Sequence, residues 1–275
     1  MGAIDVWAQA TTPRFVQEPW MTSLLRWTGK GEHNPPTGAA ETLAAMDRGG
    51  VDIALLSAWV GPQGPLISND DVEGFVAHAP DRFRGLMSVN LYEPMAAVRE
   101  IRRLARSRTF VGVRVVPWLW DLPPSDRRYY PVYAACVEEG LPFCTQIGHT
   151  GPLRRSETGR PIPYLEDVLL DFPELVVVGG HVGAPWIDEV LLLARKFPNF
   201  HIDTSAYAVH RLPEALVKFM RGEGQGRVMF GTNWPMLSAA RCLERLDALD
   251  LAPAARALYL EGAAREIFRL DGAPA

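Results

Sequence analysis

Leu175–Trp186 reads LVVVGGHVGAPW. Four apolar residues, three of them β-branched, run straight into a glycine pair and a histidine. No polar residue alternates with them, which is how a strand covered by helices on both faces reads. The run VGVRVVP at Val111–Pro117 has the same character. Working outward, β-rich runs ending in Gly, Pro, Asn or His alternate with amphipathic segments along the whole chain. The pattern predicts strands over Ala3–Ala8, Val51–Ala58, Arg84–Asn90, Val111–Pro117, Pro142–Ile147, Leu175–Gly180, Asn199–Thr204 and Arg227–Gly231. It predicts helices over Gly38–Arg48, Asn69–His78, Pro94–Arg106, Pro131–Glu139, Pro163–Asp171, Pro185–Lys196, Pro213–Arg221 and Ala239–Leu249, with a closing helical stretch at Pro253–Phe268. Several of these open on Pro in the first turn, where the missing N–H costs nothing. Eight such units without a composition break predict one α/β domain over residues 1–275, a closed (β/α)8 TIM barrel. An open doubly wound sheet would want a Gly-rich phosphate turn, and Gly148–Gly151 lacks that spacing.

The chain has 275 residues, 48% of them hydrophobic and 22% charged, with a net charge of −4. That length buries roughly three quarters of the unfolded surface without disulfides or a structural metal. No basic block points to nucleic acid or to an anionic membrane surface. No stretch reaches the ~18 apolar residues of a membrane span, and MGAIDVWAQA lacks the features of a signal peptide. Cys136, Cys144 and Cys242 are odd in number and form no CxxC pair, which predicts buried reduced thiols and a cytoplasmic setting.

The connections are unequal. Gln9–Thr37, Trp118–Tyr130 and His149–Ile162, after strands one, four and five, are long and all leave C-terminal strand ends. The helix-to-strand turns, such as Gly49-Gly50 and Glu139-Gly140-Leu141, are short. Function in such a barrel sits on the strand-to-helix face. The long loops carry Trp20, Trp27, Trp118, Trp120, Tyr129 and Tyr130, read equally as a pocket wall or as a self-packed cover.

The stretches IDVWAQ, HAPDRFRGLMSVN, GHTG, VVVGGHVGAPW, KFPNFHIDTSAY and RVMFGTNWP resemble the amidohydrolase superfamily. Within it they look like the amidohydrolase-2 branch, which includes aminocarboxymuconate-semialdehyde decarboxylase and related decarboxylases and hydrolases. The resemblance implies a divalent metal, usually zinc, held by a His-x-His pair on strand one, a His after strand five and an Asp after strand eight, with a further His on strand six. Here those positions fall on Trp7 and Gln9, His149, Asn233 and His181. An indole cannot ligate a metal, and neutral amides are weak partners for zinc. The expectation is therefore no cofactor, a zinc or other divalent ion being the disfavoured alternative.

The catalytic candidates are His181 and His149, as general acid or base, and Asn233, as a donor to a developing oxyanion. The substrate-binding candidates are Trp7, Gln9, Trp59, Trp118 and Trp234 at strand ends, with Arg114, Tyr207 and Asp203. Arg114 inside an apolar strand suits bidentate binding of a carboxylate or phosphate, or else an internal salt bridge with Asp5 or Asp203. Asp203 suits orientation of a histidine. By strand period Asp5, Trp7 and Gln9 share one face, and Ser205 has no nucleophile context. Together these lead us to expect a metal-independent hydrolase cleaving a lactone-, ester- or amide-type bond in a small unsaturated or aromatic carboxylated substrate. A decarboxylase or other C–C lyase or cyclase is the alternative, as is a binding barrel without catalysis. A homodimer using the Gln9–Thr37 excursion is one expectation for assembly.

Overall fold

The computed structural model describes residues 2–29 and 35–271. Eight strands pair in chain order, all parallel: β1 (Ala3–Gln9), β2 (Val51–Ser57), β3 (Phe83–Met87), β4 (Phe110–Arg114), β5 (Phe143–Gln146), β6 (Val177–Gly180), β7 (Phe200–Asp203) and β8 (Val228–Met229). The ring closes through backbone bonds between β1 and the segment after β8: Val6 N–H to Phe230 O (3.1 Å), Asn233 N–H to Trp7 O (2.7 Å) and Gln9 N–H to Trp234 O (3.1 Å). This is the expected TIM barrel.

Local chemistry sets the element ends. Ser68 and Asp71 form a reciprocal capping box that starts the helix Asn69–His78. The helices Ala39–Gly49 and Tyr130–Glu139 stop at Gly50 (φ 67°) and Gly140 (φ 62°), left-handed positions that turn the chain directly into the next strand. Three expectations are corrected. The helix expected over Ala239–Leu249 ends at Cys242, because Arg245 adopts φ 63°, and resumes as a 3-10 turn over Leu246–Leu249. The closing stretch is two short helices joined by a π turn over Leu258–Gly262. After β2, Trp59–Gly61 and Gly64–Ile67 form an unforeseen antiparallel hairpin. All three cysteines are free and buried, and no described helix is long and apolar enough to cross a membrane.

β1 departs from simple alternation. Its register against β2 slips by one residue between Asp5 and Ala8, a bulge that changes which side chains point inward. Val6 joins the barrel interior with Ile4, Leu55, Leu86, Cys144, Val178 and Met229, over a base closed by Ala263, Ala264 and Phe268. Asp5 instead faces the helix Ala39–Gly49, beside Thr42, Ala45 and Met46. Its carboxylate accepts from Thr232 N (2.9 Å), Thr232 Oγ1 (2.5 Å) and Trp7 N (3.1 Å). Asp5 and Trp7 therefore do not share a face.

Burial pushes the Asp5 carboxyl up to about 7, against the lowering effect of its hydrogen bonds. The folded chain keeps this proton up to about pH 7, whereas the unfolded chain releases it near 3.8. The resulting stability is full in acid and is lost as pH rises through 7. Asp5→Asn, which keeps the two backbone N–H contacts on Oδ1 and donates an amide N–H to Thr232 Oγ1 as the protonated acid would, is expected to gain on the order of 2–4 kcal/mol relative to wild type between about pH 4 and pH 8. Urea unfolding of both proteins at those two pH values checks this; parallel pH profiles would contradict it.

Candidate active site

A cavity of about 580 Å³ opens at the C-terminal strand ends. One wall is aromatic. Phe15 and Trp20, from the loop after β1, pack with Trp59 and Trp118, with ring centroids of neighbouring pairs 5.1–6.2 Å apart. Trp118 donates its indole N–H to Gln146 Oε1 at 2.7 Å, and Gln146 donates to His149 O at 3.3 Å, which fixes that wall to the loop after β5. Trp59 Nε1 is buried and has no partner among the described residues. The first long loop is thus both a packed cover and a wall, since Trp20 is buried and still lines the cavity.

The floor is built around Trp7, which is fully buried. Its ring lies between the Arg114 guanidinium, 3.6 Å from the ring centre, and the His181 imidazole, 4.6 Å centroid to centroid. Room for the indole comes from glycine: a Cβ at Gly180 would overlap Trp7 Cε3 and Cζ3, and one at Gly231 would lie 3.3 Å from Trp7 Cβ. The Gln9 and Asn233 amides meet at 2.9 Å, and the Gln9 oxygen accepts Trp7 Nε1–H at 3.1 Å when that amide is turned to satisfy both its ends.

His181 follows β6 at φ 70°, and Asn233 follows β8 at φ 74°, left-handed conformations that the sequence does not announce. His181 Nδ1 lies 2.6 Å from Ser205 Oγ. Ser205 in turn donates its hydroxyl to Asp203 Oδ1 in a short contact. Burial, and then the Arg114 charge, pull the His181 pKa down to about 3, so the ring is neutral at ordinary pH. Burial raises the Asp203 carboxyl, against hydrogen bonds from Ser205 and the charge of Arg114.

Of the expected residues, His181, His149, Asn233, Gln9, Trp59, Trp118 and Tyr207 line the cavity. Four do not. Trp7 lies beneath His181. Arg114, 1% exposed, sits under Trp7 and donates to Val6 O (2.9 Å) and to Ser57 Oγ, so no substrate anion reaches it and it makes no salt bridge with Asp5 or Asp203. Asp203 is fully buried behind Ser205. Trp234 turns toward the helix Ala39–Gly49, where its N–H meets Thr42 Oγ1 at 3.2 Å. Phe15, Met21, Ser205, Arg211 and Arg241 were missed; the Asp203–Ser205 spacing, with two polar side chains two residues apart past a strand end, was the one readable signal among them. Arg211 and Arg241 line the rim and form no ion pair among the described residues.

An eight-stranded parallel barrel with a pocket at its C-terminal strand ends is the architecture of TIM-barrel enzymes. The chain belongs to the amidohydrolase family, in its amidohydrolase-2 branch, matching the family over residues 4–270. It is 25% identical to a gamma-resorcylate decarboxylase of Rhodococcus jostii, over 74% of this chain and 76% of that one. An uncharacterized TIM-barrel protein from Bordetella bronchiseptica superposes with a TM-score of 0.82 at 25% identity, over 99% of this chain and 100% of that one. A dihydroxybenzoic acid decarboxylase from Polaromonas, solved with bound manganese and the inhibitor 2-nitroresorcinol, superposes with a TM-score of 0.70 at 18% identity, over 99% of this chain and 98% of that one.

These relatives correct two expectations. The Rhodococcus and Polaromonas proteins are decarboxylases, so the hydrolase reading gives way to its lyase alternative. Manganese in the Polaromonas enzyme overturns the expectation that no cofactor is involved.

Proposed function

We propose that the chain decarboxylates a small hydroxylated aromatic acid. The observation that carries this reading is one neutral imidazole, His181, set at the foot of an aromatic-walled cavity. Decarboxylation breaks the bond between a ring carbon and its carboxylate, releases CO2 and leaves the electron pair on that carbon, which takes one proton. The aromatic wall stacks the ring and keeps its carboxylate out of water, which favours conversion of that charge into neutral CO2. The bound carboxylate lies near His181 and stabilises the imidazolium, so the ring charges once substrate is present and hands its proton to the ring carbon. Asn233 and Gln9 offer amide N–H groups to a ring hydroxyl or phenolate. Arg211 and Arg241 draw acidic substrates to the mouth.

A divalent ion is the cofactor to which the manganese-bearing relatives point. The side chains here do not form its usual donor set. Among the described residues no three His, Cys, Asp or Glu side chains converge. Gln9 and Asn233 bond each other, Trp7 offers an indole where the resemblance implies a histidine ligand, and Asp203 is tied to Ser205. The proton transfer described above uses the chain's own residues alone.

The test is CO2 release from a panel of hydroxybenzoates, including 2,6-dihydroxybenzoate and 5-carboxyvanillate, with manganese supplied and the ring product identified by chromatography. Stoichiometric CO2 and decarboxylated arene from at least one member are expected. A panel left intact would overturn the reading.

A further inference from the structure

The Asp203–Ser205–His181 chain has a direction, and that direction decides which nitrogen of His181 faces the chemistry. Asp203 Oδ1 accepts three donors: Ser205 N–H at 2.9 Å, His181 N–H at 3.4 Å and the Ser205 hydroxyl in a short contact. The other oxygen, Oδ2, is buried and has no partner among the described residues. Two backbone N–H groups aimed at Oδ1 make it an acceptor whether or not the carboxyl is ionised, since any proton on Asp203 would sit on Oδ2. A serine hydroxyl has one proton. Committed to Asp203, it leaves Ser205 Oγ only an acceptor role toward His181 Nδ1, 2.6 Å away.

We propose that Ser205 is a positioning residue that holds His181 as the Nδ1–H tautomer, with Nε2 as the unprotonated nitrogen of a ring that lines the cavity. Nε2 then receives the proton and delivers it from the same atom, without ring rotation, which the indole of Trp7 against one face also opposes. Asp203 ends β7 and Ser205 follows two residues later, with Ala206 at φ 67° directly after, and both side chains meet His181: Asp203 at its backbone N–H and Ser205 at its ring. The catalytic consequence rests on the reading of His181 as the proton carrier; the tautomer itself does not.

Ring 15N–1H correlation spectra of the intact, 15N-histidine-labelled protein test the proposal, because they separate Nδ1–H from Nε2–H without any assay. Wild type is expected to show Nδ1–H for His181. Ser205→Ala is expected to shift the ring toward Nε2–H and to lower kcat roughly 10- to 100-fold with little change in KM, and Ser205→Thr, which restores a hydroxyl, to recover both. An Nε2–H ring in wild type, or a tautomer unchanged in a folded Ser205→Ala protein, would overturn the proposal. If the tautomer behaves as stated while His181→Asn retains full turnover, the relay stands and the role of His181 in the reaction falls.

Discussion

His181→Asn is expected to lower turnover by about 10²–10⁴-fold while leaving the folded state nearly as stable as wild type near pH 8. Asparagine is the informative replacement because the position holds φ 70°, a left-handed conformation that Asn adopts more readily than Ala. The variant therefore removes the imidazole without adding backbone strain. What it loses is a proton-carrying group; in stability it gives up a tilted contact with Trp7 at 4.6 Å, worth about 1 kcal/mol, and the ring's hydrogen bond with Ser205, which the shorter amide replaces in part. Lowering the pH separates the two properties. The folded His181 pKa is about 3 against an ordinary 6.5, so the unfolded chain takes up a proton that the folded chain refuses. Stability from the neutral ring is present above pH 6.5 and is lost as pH falls toward 3. At pH 5 the variant should therefore gain on wild type in stability while its turnover stays lowered. His201, its pKa likewise pulled down to about 3 by burial, contributes the same slope in both proteins and cancels from the comparison. Turnover within tenfold of wild type would remove His181 from the mechanism.

Much of this fold was legible because its strands are covered on both faces. Runs such as LVVVGG have only one comfortable environment, and the Pro and Gly that bound most of the barrel helices mark their ends within a residue or two, the helix from Ala239 excepted. The site was legible in its polar outline: His181, His149, Asn233 and Gln9 reach the cavity because each follows or ends a strand. Depth was not legible. Strand period says that Arg114 points inward, but not that a tryptophan from β1 lies over it. Alternation also fails at the β1 bulge, where one extra residue sends Asp5 outward and Val6 inward. Trp234 was read as substrate-binding, yet its N–H is drawn to Thr42 on the neighbouring helix. Contacts of this kind join residues far apart in the chain, and no local pattern encodes them.

Trp7→Ala is expected to cost about 3–5 kcal/mol, the range for deleting a large buried aromatic ring. Two features place it in the upper part of that range. The indole fits a slot left open by Gly180 and Gly231, whose backbones belong to the barrel wall and cannot close on the space. The ring also covers Arg114, a buried cation whose pKa burial lowers and whose other partners are Ser57, Val6 O and the Cys144 thiol. A cation against an indole face in a desolvated site is worth about 2 kcal/mol, and without that face the guanidinium must recruit water. Replacing Arg114 as well, in Trp7→Ala/Arg114→Met, should restore part of the loss, because the uncovered charge is then gone. Urea unfolding of wild type, Trp7→Ala, Arg114→Met and the double variant near pH 8 measures both terms. A single-variant loss under 2 kcal/mol, or a double variant less stable by the sum of the single losses, would mean that Trp7 is not what holds the floor beneath His181.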